Sequence, residues 1–441
     1  MWGGAYNPAM APGPGARVWY AIYNLLLHLA ALACLPFWIL ARLTRGRFRG
    51  QFKERMGRLP APLLERFGRA PALWVHAASA GETVSAAPLV RRLRVAFPEA
   101  PILFTVTSRY GKEMAGRLLA GSADGIAYSP LDLPLFVARF LNRIRPFLYV
   151  MVETDLWPNM VRQAKARGIP VVLASGHAGP RRAWRRLRSF GRAVLGNVDL
   201  FLMQTEEDAR RIVERGAPRD RVRSMGNLKF DGSSGSLPHE ERLALRRAFA
   251  LPEGVPVFVA GSTLAEDEGP VLDAVAALRG EGRDLRAIVA PRRQERVAEL
   301  ERRCAERGLA CARRTAGGSA PVLILDTMGE LAGCYNLADA AYVGGGLTPE
   351  VGLHNILEPI VCGAPVLFGP SHGKAHRIAQ EFLERGAGLE LADGAALLPA
   401  LRRILGDPEE RARLHRAAEA LLKENRGAAE RQARSIRELV A

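Results

Sequence analysis

The sequence predicts a two-domain α/β protein, each domain a parallel sheet with helices on both faces, preceded by one long apolar helix. Three observations carry that expectation. From Leu73 onward, short apolar runs alternate with longer amphipathic ones, the rhythm of repeated strand–helix–strand units. The rhythm pauses at Gly232–Pro238, a Gly/Ser-rich stretch that reads as a linker, and then resumes. A chain of 441 residues also has the length of two domains of about 200 residues each. Hydrophobic residues at 48% and charged residues at 24% are ordinary for a folded chain and exclude wholesale disorder.

The elements follow in order. Residues 1–16, rich in Gly, Pro and Ala, read as a disordered leader. Val18–Ala41 is apolar except at Asn24 and His28, long enough to cross a hydrocarbon core of roughly 30 Å. Arg17 precedes it and Arg42, Arg45, Arg47 and Arg49 follow, a bias that keeps the body of the protein cytoplasmic. No small-residue cleavage site marks a signal peptide. Residues 17–45 are therefore expected to form a membrane-anchor helix, with a buried core helix as the bland alternative. Strands are expected at Leu73–His76, Ile102–Val106, Phe147–Val152, Pro170–Ala174 and Leu200–Met203, with helices at Val84–Phe97, Leu133–Asn142 and Glu206–Arg215. The second half offers strands at Val257–Ala260, Leu285–Ala290, Val322–Leu325, Ala340–Val343 and Val366–Phe368. Its helices are expected at Pro270–Leu278, Gln294–Arg307, Leu353–Cys362 and Ala375–Arg385. Two Rossmann-like domains result, 46–232 and 233–425, with a C-terminal helix in 426–441 packing back on the first. Ligands of such sheets sit beyond the carboxyl ends of the strands, so a cleft between facing halves is the expected site.

The net charge of +17 suits nucleic acid, anionic lipid or phosphorylated ligands. The chain has no Cys/His finger, no aromatic RNA-binding strand motif and no heptad-bearing basic region, so nucleic acid is not the expected partner. The longest basic run, Arg181–Arg192, carries only Trp184 and Phe190 as aromatics and reads as a membrane-facing or solvated helix. The five cysteines form no CxxC pair and no zinc-like spacing with histidine, which points to buried thiols in a reducing compartment.

Candidate chemistry lies after strands. In HAASAGE (76–82), small residues including Ser79 and Gly81 let backbone N–H groups approach a ligand, and Glu82 opens the following helix, where the helix dipole stabilises its carboxylate. Glu82 is equally an N-cap support. Glu153 and Asp155 end a nearly continuous apolar strand in VMVETDLWPNM, as a catalytic or as a capping pair, and Pro158 suits the first turn of the next helix. In APRRQER (290–296), Arg292 and Arg293 stand on a strand-to-helix loop, suited to a phosphate or carboxylate. Asp326–Leu331 (DTMGEL) offers backbone for a nucleobase or ribose. Gly344–Gly346 permits close backbone approach, and Asn355 and Glu358 are expected to share a helix face that could bond a ligand's hydroxyls. Turns and caps are the alternative reading of each cluster.

HAASAGE, ETDLWPN, GNLKFD (226–231), PRRQER, DTMGEL and GLHNILEP together, in this order over residues 76–359, resemble the 3-deoxy-D-manno-oct-2-ulosonic acid (Kdo) transferases of lipid A biosynthesis. The resemblance implies a GT-B fold with an acceptor-binding N-terminal domain and a donor-binding C-terminal domain. It implies CMP-Kdo as donor and the lipid A precursor, a phosphorylated and acylated glucosamine disaccharide, as acceptor. It implies inverting transfer at the cytoplasmic face of the inner membrane, in lipopolysaccharide biosynthesis, without metal or cofactor. Glu82 matches the general base and Glu153 the second essential acid. Arg292 matches the residue facing the CMP phosphate. Met328, Gly329 and Glu330 match the nucleotide-contacting turn, and Asn355 and Glu358 match positions that hold CMP. The chain departs from the family pattern at Arg293 and Leu264, where the family has His, at Ser175–Gly179, at the single Gly352 before His354, and in 369–379, which lacks an Asn-Phe pair. These departures leave open another nucleotide-activated acidic sugar or lipid acceptor. A sugar-nucleotide epimerase shares the two-domain plan but would lack the apolar helix. A protein that only binds such ligands would not need Glu82, Glu153, Arg292 and Glu358 together. Arginines in 42–58 and 181–192 would add affinity for an anionic membrane surface.

Overall fold

The computed structural model describes residues 14–44, 48–68, 70–153, 156–178, 188–231 and 236–441. Residues 1–13 of the leader, Asp155, positions 181–187 of the basic run and 232–235 of the linker lie outside the described residues. The chain divides into two compact units, one of residues 1–232 with 425–441, the other of 233–424.

The first unit holds a seven-stranded sheet of β1 (Leu73–His76), β2 (Ile102–Val106), β3 (Gly125–Tyr128), β4 (Leu148–Val152), β5 (Val171–Gly176), β6 (Leu200–Met203) and β7 (Val222–Ser224). Its order is β3-β2-β1-β4-β5-β6-β7, and every pairing is parallel. The second unit repeats the plan with β8 (Val257–Thr263), β9 (Arg286–Pro291), β10 (Cys311–Arg313), β11 (Val322–Ile324), β12 (Ala340–Val343), β13 (Val366–Phe368) and β14 (Gly388–Glu390). The order is β10-β11-β9-β8-β12-β13-β14, again parallel. Central strands are covered by helices on both faces and are buried throughout and mostly apolar, which is why their runs stand out in the sequence.

Four strands were not expected from the sequence: β3, β7, β10 and β14. They are the four sheet edges. An edge strand is short and half-covered, so it carries no continuous apolar run; Val222–Ser224 and Cys311–Arg313 contain no fully buried residue. The helix expected at Leu353–Cys362 is also corrected, to Leu357–Val361. Gly352 has φ of 76°, and the amides of Leu353 and His354 are given to the carbonyls of Ser371 (2.8 Å) and Gly344 (3.2 Å). Backbone committed in this way cannot enter a helical ladder.

The last helix, Ala428–Val440, belongs to the first unit and buries Ala428, Ala429, Ala433 and Ile436 in the core beside Leu89, Val90 and Leu93 of the helix Ala80–Ala96. Asp231, the end of the GNLKFD segment, fastens its start by accepting from the amides of Gly427 and Ala429, each at 2.7 Å. Buried Gln432 adds bonds to the Ser175 amide (2.9 Å) and the Gly226 carbonyl (2.9 Å). Asp231→Ala removes the carboxylate from two helix-terminal amides and is expected to cost about 1–2 kcal/mol. Denaturant unfolding and faster amide exchange over 428–440 would register it; unchanged exchange there would refute it.

The N-terminal helix spans Pro14–Thr44. Among the described residues it is the one helix long and apolar enough to cross a membrane. Only 6% of its stretch Ala16–Cys34 is buried, so it is not a core helix. Val18, Leu25, Leu26, Leu29 and Leu32 are each more than half exposed, whereas Tyr20 is 1% exposed.

Candidate functional site

In both sheets the chain runs outward on one side and then restarts on the other, which makes β1/β4 and β8/β12 the points where strand order reverses. A crevice opens beyond the strand ends at such a point. Glu82 follows β1 and Glu153 follows β4, on neighbouring strands in register, His76 beside Met151. The glycine turn Gly344–Gly346 follows β12.

Ser79 caps the helix Ala80–Ala96: its Oγ accepts from the Glu82 amide at 3.2 Å, and its extended backbone starts the turn. Glu82 Oε2 reaches back to accept from the amides of Ala78 (2.6 Å) and Ser79 (3.3 Å). This reciprocal pair satisfies orphan amides of the first turn and fixes the carboxylate rotamer at the positive end of the helix. The capping reading of Glu82 is thereby observed. Gly81 lies beside it, exposed.

Glu153 has φ of 66°, a left-handed conformation that non-glycine residues rarely adopt, and its amide is held by the Ala174 carbonyl at 2.9 Å. Such strain at a strand end accompanies functional positions. Lys229 Nζ lies 3.1 Å from Glu153 Oε1. Oε1 has no partner in hydrogen-bond geometry, so the contact is an ion pair and not a directed bond. Lys229 comes from GNLKFD, a segment legible as a motif but not as the source of a cation for Glu153. Its neighbour Asn227 holds the turn, accepting from the Lys229 amide (3.0 Å) and donating to Gln204 (3.2 Å).

In the second unit, Arg292 and Arg293 are exposed on the loop after β9, and the Arg292 amide bonds the Thr263 carbonyl at 2.9 Å. Burial pushes the Glu358 carboxyl above the usual carboxylate range, while a bond from Asn355 Nδ2 (3.0 Å) and the charge of Arg292 pull it down. Burial and the same guanidinium push His354 below the usual imidazole range. Arg292, His354 and Glu358 therefore share one electrostatic neighbourhood. Asn355 precedes the helix instead of riding on it; its Oδ1 accepts from the Leu357 amide at 3.2 Å. The shared helix face expected of Asn355 and Glu358 is corrected: the turn before the helix brings the two side chains together.

The DTMGEL turn meets the PRRQER segment, Gln294 Nε2 lying 3.8 Å from Met328 Sδ. Met328 is 84% exposed, Gly329 has φ of 92°, and Glu330 is occupied by Arg314 (3.2 Å) and the Thr327 hydroxyl. Buried Asp267 went unnoticed in the sequence, although an acidic residue in the first turn after β8 is a readable signal. Its Oδ2 accepts from the amides of Leu264 (2.8 Å) and Gly345 (2.9 Å), and its Oδ1 from the Tyr342 hydroxyl (2.6 Å), which ties the glycine turn to the next helix. A Cβ on Gly345 would meet the Gly352 carbonyl oxygen at 2.4 Å, and its φ is 92°. Gly345→Ala is expected to destabilise the second unit by at least ~2 kcal/mol; a calorimetric melt within a degree of wild type would contradict this.

A family model described as 3-Deoxy-D-manno-octulosonic-acid transferase (kdotransferase) matches residues 50–232. The 3-deoxy-D-manno-octulosonic acid transferase of Bordetella pertussis is 34% identical over 431 residues, covering 93% of this chain and 97% of that protein. The protein of the same description from Haemophilus influenzae is 31% identical over 430 residues, covering 94% and 97%. The chain belongs to the 3-deoxy-D-manno-octulosonic acid transferase family.

The transferase also shares its fold with a glycosyltransferase structure from Rickettsia africae, at TM-score 0.56 and 11% identity, over 84% of this chain and 99% of that one. It is thus a glycosyltransferase of the two-domain GT-B plan.

Proposed function

We propose that this transferase moves Kdo from CMP-Kdo onto a phosphorylated, acylated glucosamine disaccharide, the lipid A precursor, with inversion and without a metal ion. Family membership supports the sugar, and the placement of Glu82 at the reversal point of the first sheet carries the assignment of the base. The acceptor hydroxyl gives its proton to the Glu82 carboxylate, which the Ala78 and Ser79 amides hold in place through Oε2. The hydroxyl oxygen attacks the anomeric carbon as the bond from that carbon to the CMP phosphate oxygen breaks, and CMP leaves with the electron pair. One displacement inverts the centre, and a single general base is worth about 10²–10⁴ in rate. Glu153, paired with Lys229, orients the acceptor. Arg292 receives the charge that develops on the leaving phosphate. Asn355 with Glu358, Arg293 and the Met328–Glu330 turn supply the remaining nucleotide contacts.

The exposed leucine face of the N-terminal helix supports attachment to the inner membrane, with both units in the cytoplasm, and basic residues add attraction to anionic lipid. The metal-free assignment has a direct test: transfer is expected to persist in excess EDTA, with CMP inhibiting more strongly than UMP. Loss of transfer on chelation, restored by a divalent ion, would overturn it.

A further inference from the structure

Two polar residues sit awkwardly on the apolar helix, Tyr23 and Asn24, and both have partners in the first unit. Tyr23 Oη donates to Asp132 Oδ2 at 2.9 Å, and Asn24 Oδ1 accepts from Asn159 Nδ2 at 2.6 Å. Asp132, 5% exposed in the loop after β3, also accepts from the amides of Asn159 (2.9 Å) and Met160 (2.8 Å). It thereby caps the helix Pro158–Ala166 from outside, a helix whose own N-cap residue, Trp157, makes no side-chain cap. Asn159 Nδ2 returns a bond to the Asp132 carbonyl at 2.6 Å. Around this knot the Phe190 ring packs on Tyr20 (5.7 Å) and Tyr23 (5.6 Å), and the Arg162 guanidinium lies 4.7 Å over the Tyr20 ring.

The helix so gripped, Pro158–Ala166, is the first helix after β4 and Glu153, and β4 pairs with β1, the strand that leads to Glu82. The opposite face of the apolar helix, with Leu25, Leu26, Leu29 and Leu32, is exposed. We propose that Asp132 is a positioning residue of the transfer reaction. Through Tyr23, Asn24 and Asn159 it clamps the apolar helix to the start of the helix that follows β4 and Glu153, so a lipid surface bound by the apolar helix presents its acceptor at the catalytic edge of the first sheet. A buried carboxylate that caps a helix needs every donor it has, so fixing Tyr23 on Asp132 also fixes the start of that helix. The inference rests on the reading of the acceptor as a lipid.

Asp132→Asn would also uncap a helix, so the decisive variant is Tyr23→Phe/Asn24→Ala, which leaves the exposed leucines in place. Co-sedimentation with anionic phospholipid vesicles is expected to match wild type. With acceptor embedded in those vesicles, KM is expected to rise at least tenfold, while kcat and KM on a deacylated, water-soluble acceptor stay within twofold. Amide exchange over 156–162 is expected to quicken. Equal losses on both acceptors, or none on either, would overturn the clamp. Should wild type transfer to neither acceptor, the functional reading fails, and exchange decides the clamp alone: unchanged rates over 156–162 would dispose of it.

Discussion

Glu82→Gln is expected to unfold at the wild-type temperature and to lose about 10²–10⁴ of kcat. The separation follows from the geometry. Oε2 of Glu82 accepts from the Ala78 and Ser79 amides while Ser79 Oγ accepts from the Glu82 amide. Glutamine closes the same reciprocal box, because its amide oxygen accepts those two bonds. It cannot take a proton from an attacking hydroxyl. Glu82→Ala removes both functions and is expected to add a stability loss of about 1 kcal/mol to the loss of rate. If Glu82→Gln retained more than a tenth of wild-type kcat, the capping role would be the whole role of this residue.

Arg292→Ala should cost about 10²–10³ in kcat/KM for the donor, with Arg293→Ala costing far less. Both side chains are exposed on one loop, and residue type and position alone treat them alike. The electrostatics do not. Arg292 acts on both Glu358 and His354, holding the first down against burial and pushing the second further down. Its guanidinium therefore lies within electrostatic reach of Glu358 and His354, where the proposed function puts the phosphate. Arg292→Lys keeps the charge without the planar fork and is expected to recover only part of the loss. Calorimetric titration with CMP should show the same ranking, Arg292→Ala weaker than Arg293→Ala. The reverse ranking would move the phosphate to the neighbouring side chain.

The sequence revealed most of this fold for a physical reason. Central parallel strands are buried on two faces, so β1, β2, β4 and β6 appear as mostly apolar runs, with His76 and Thr105 as the polar exceptions. The four edge strands were invisible because half-covered backbone needs no such run, as Val222–Ser224 illustrates. Residues that follow central strands were legible as candidates, because position alone marks them: Glu82, Glu153, Arg292 and the glycine turn. What could not be read was pairing across long separations. Lys229 meets Glu153 from 76 residues downstream, and Tyr23 meets Asp132 from 109 residues upstream. Asp231 was quoted within a motif, yet its work is to hold the start of the last helix. A motif can therefore mark a fold contact and a site contact within six residues, with Asp231 and Lys229 as the two cases.

The measurement that bears most directly on the central claim is mass spectrometry of the reaction products. Purified full-length protein is incubated with CMP-Kdo and a tetra-acylated lipid A precursor in detergent micelles. Acceptor heavier by whole Kdo units is expected, with one CMP released for each. Unmodified acceptor, from protein that is folded and binds CMP, would contradict it and shift the search to another nucleotide-activated acidic sugar or another lipid acceptor.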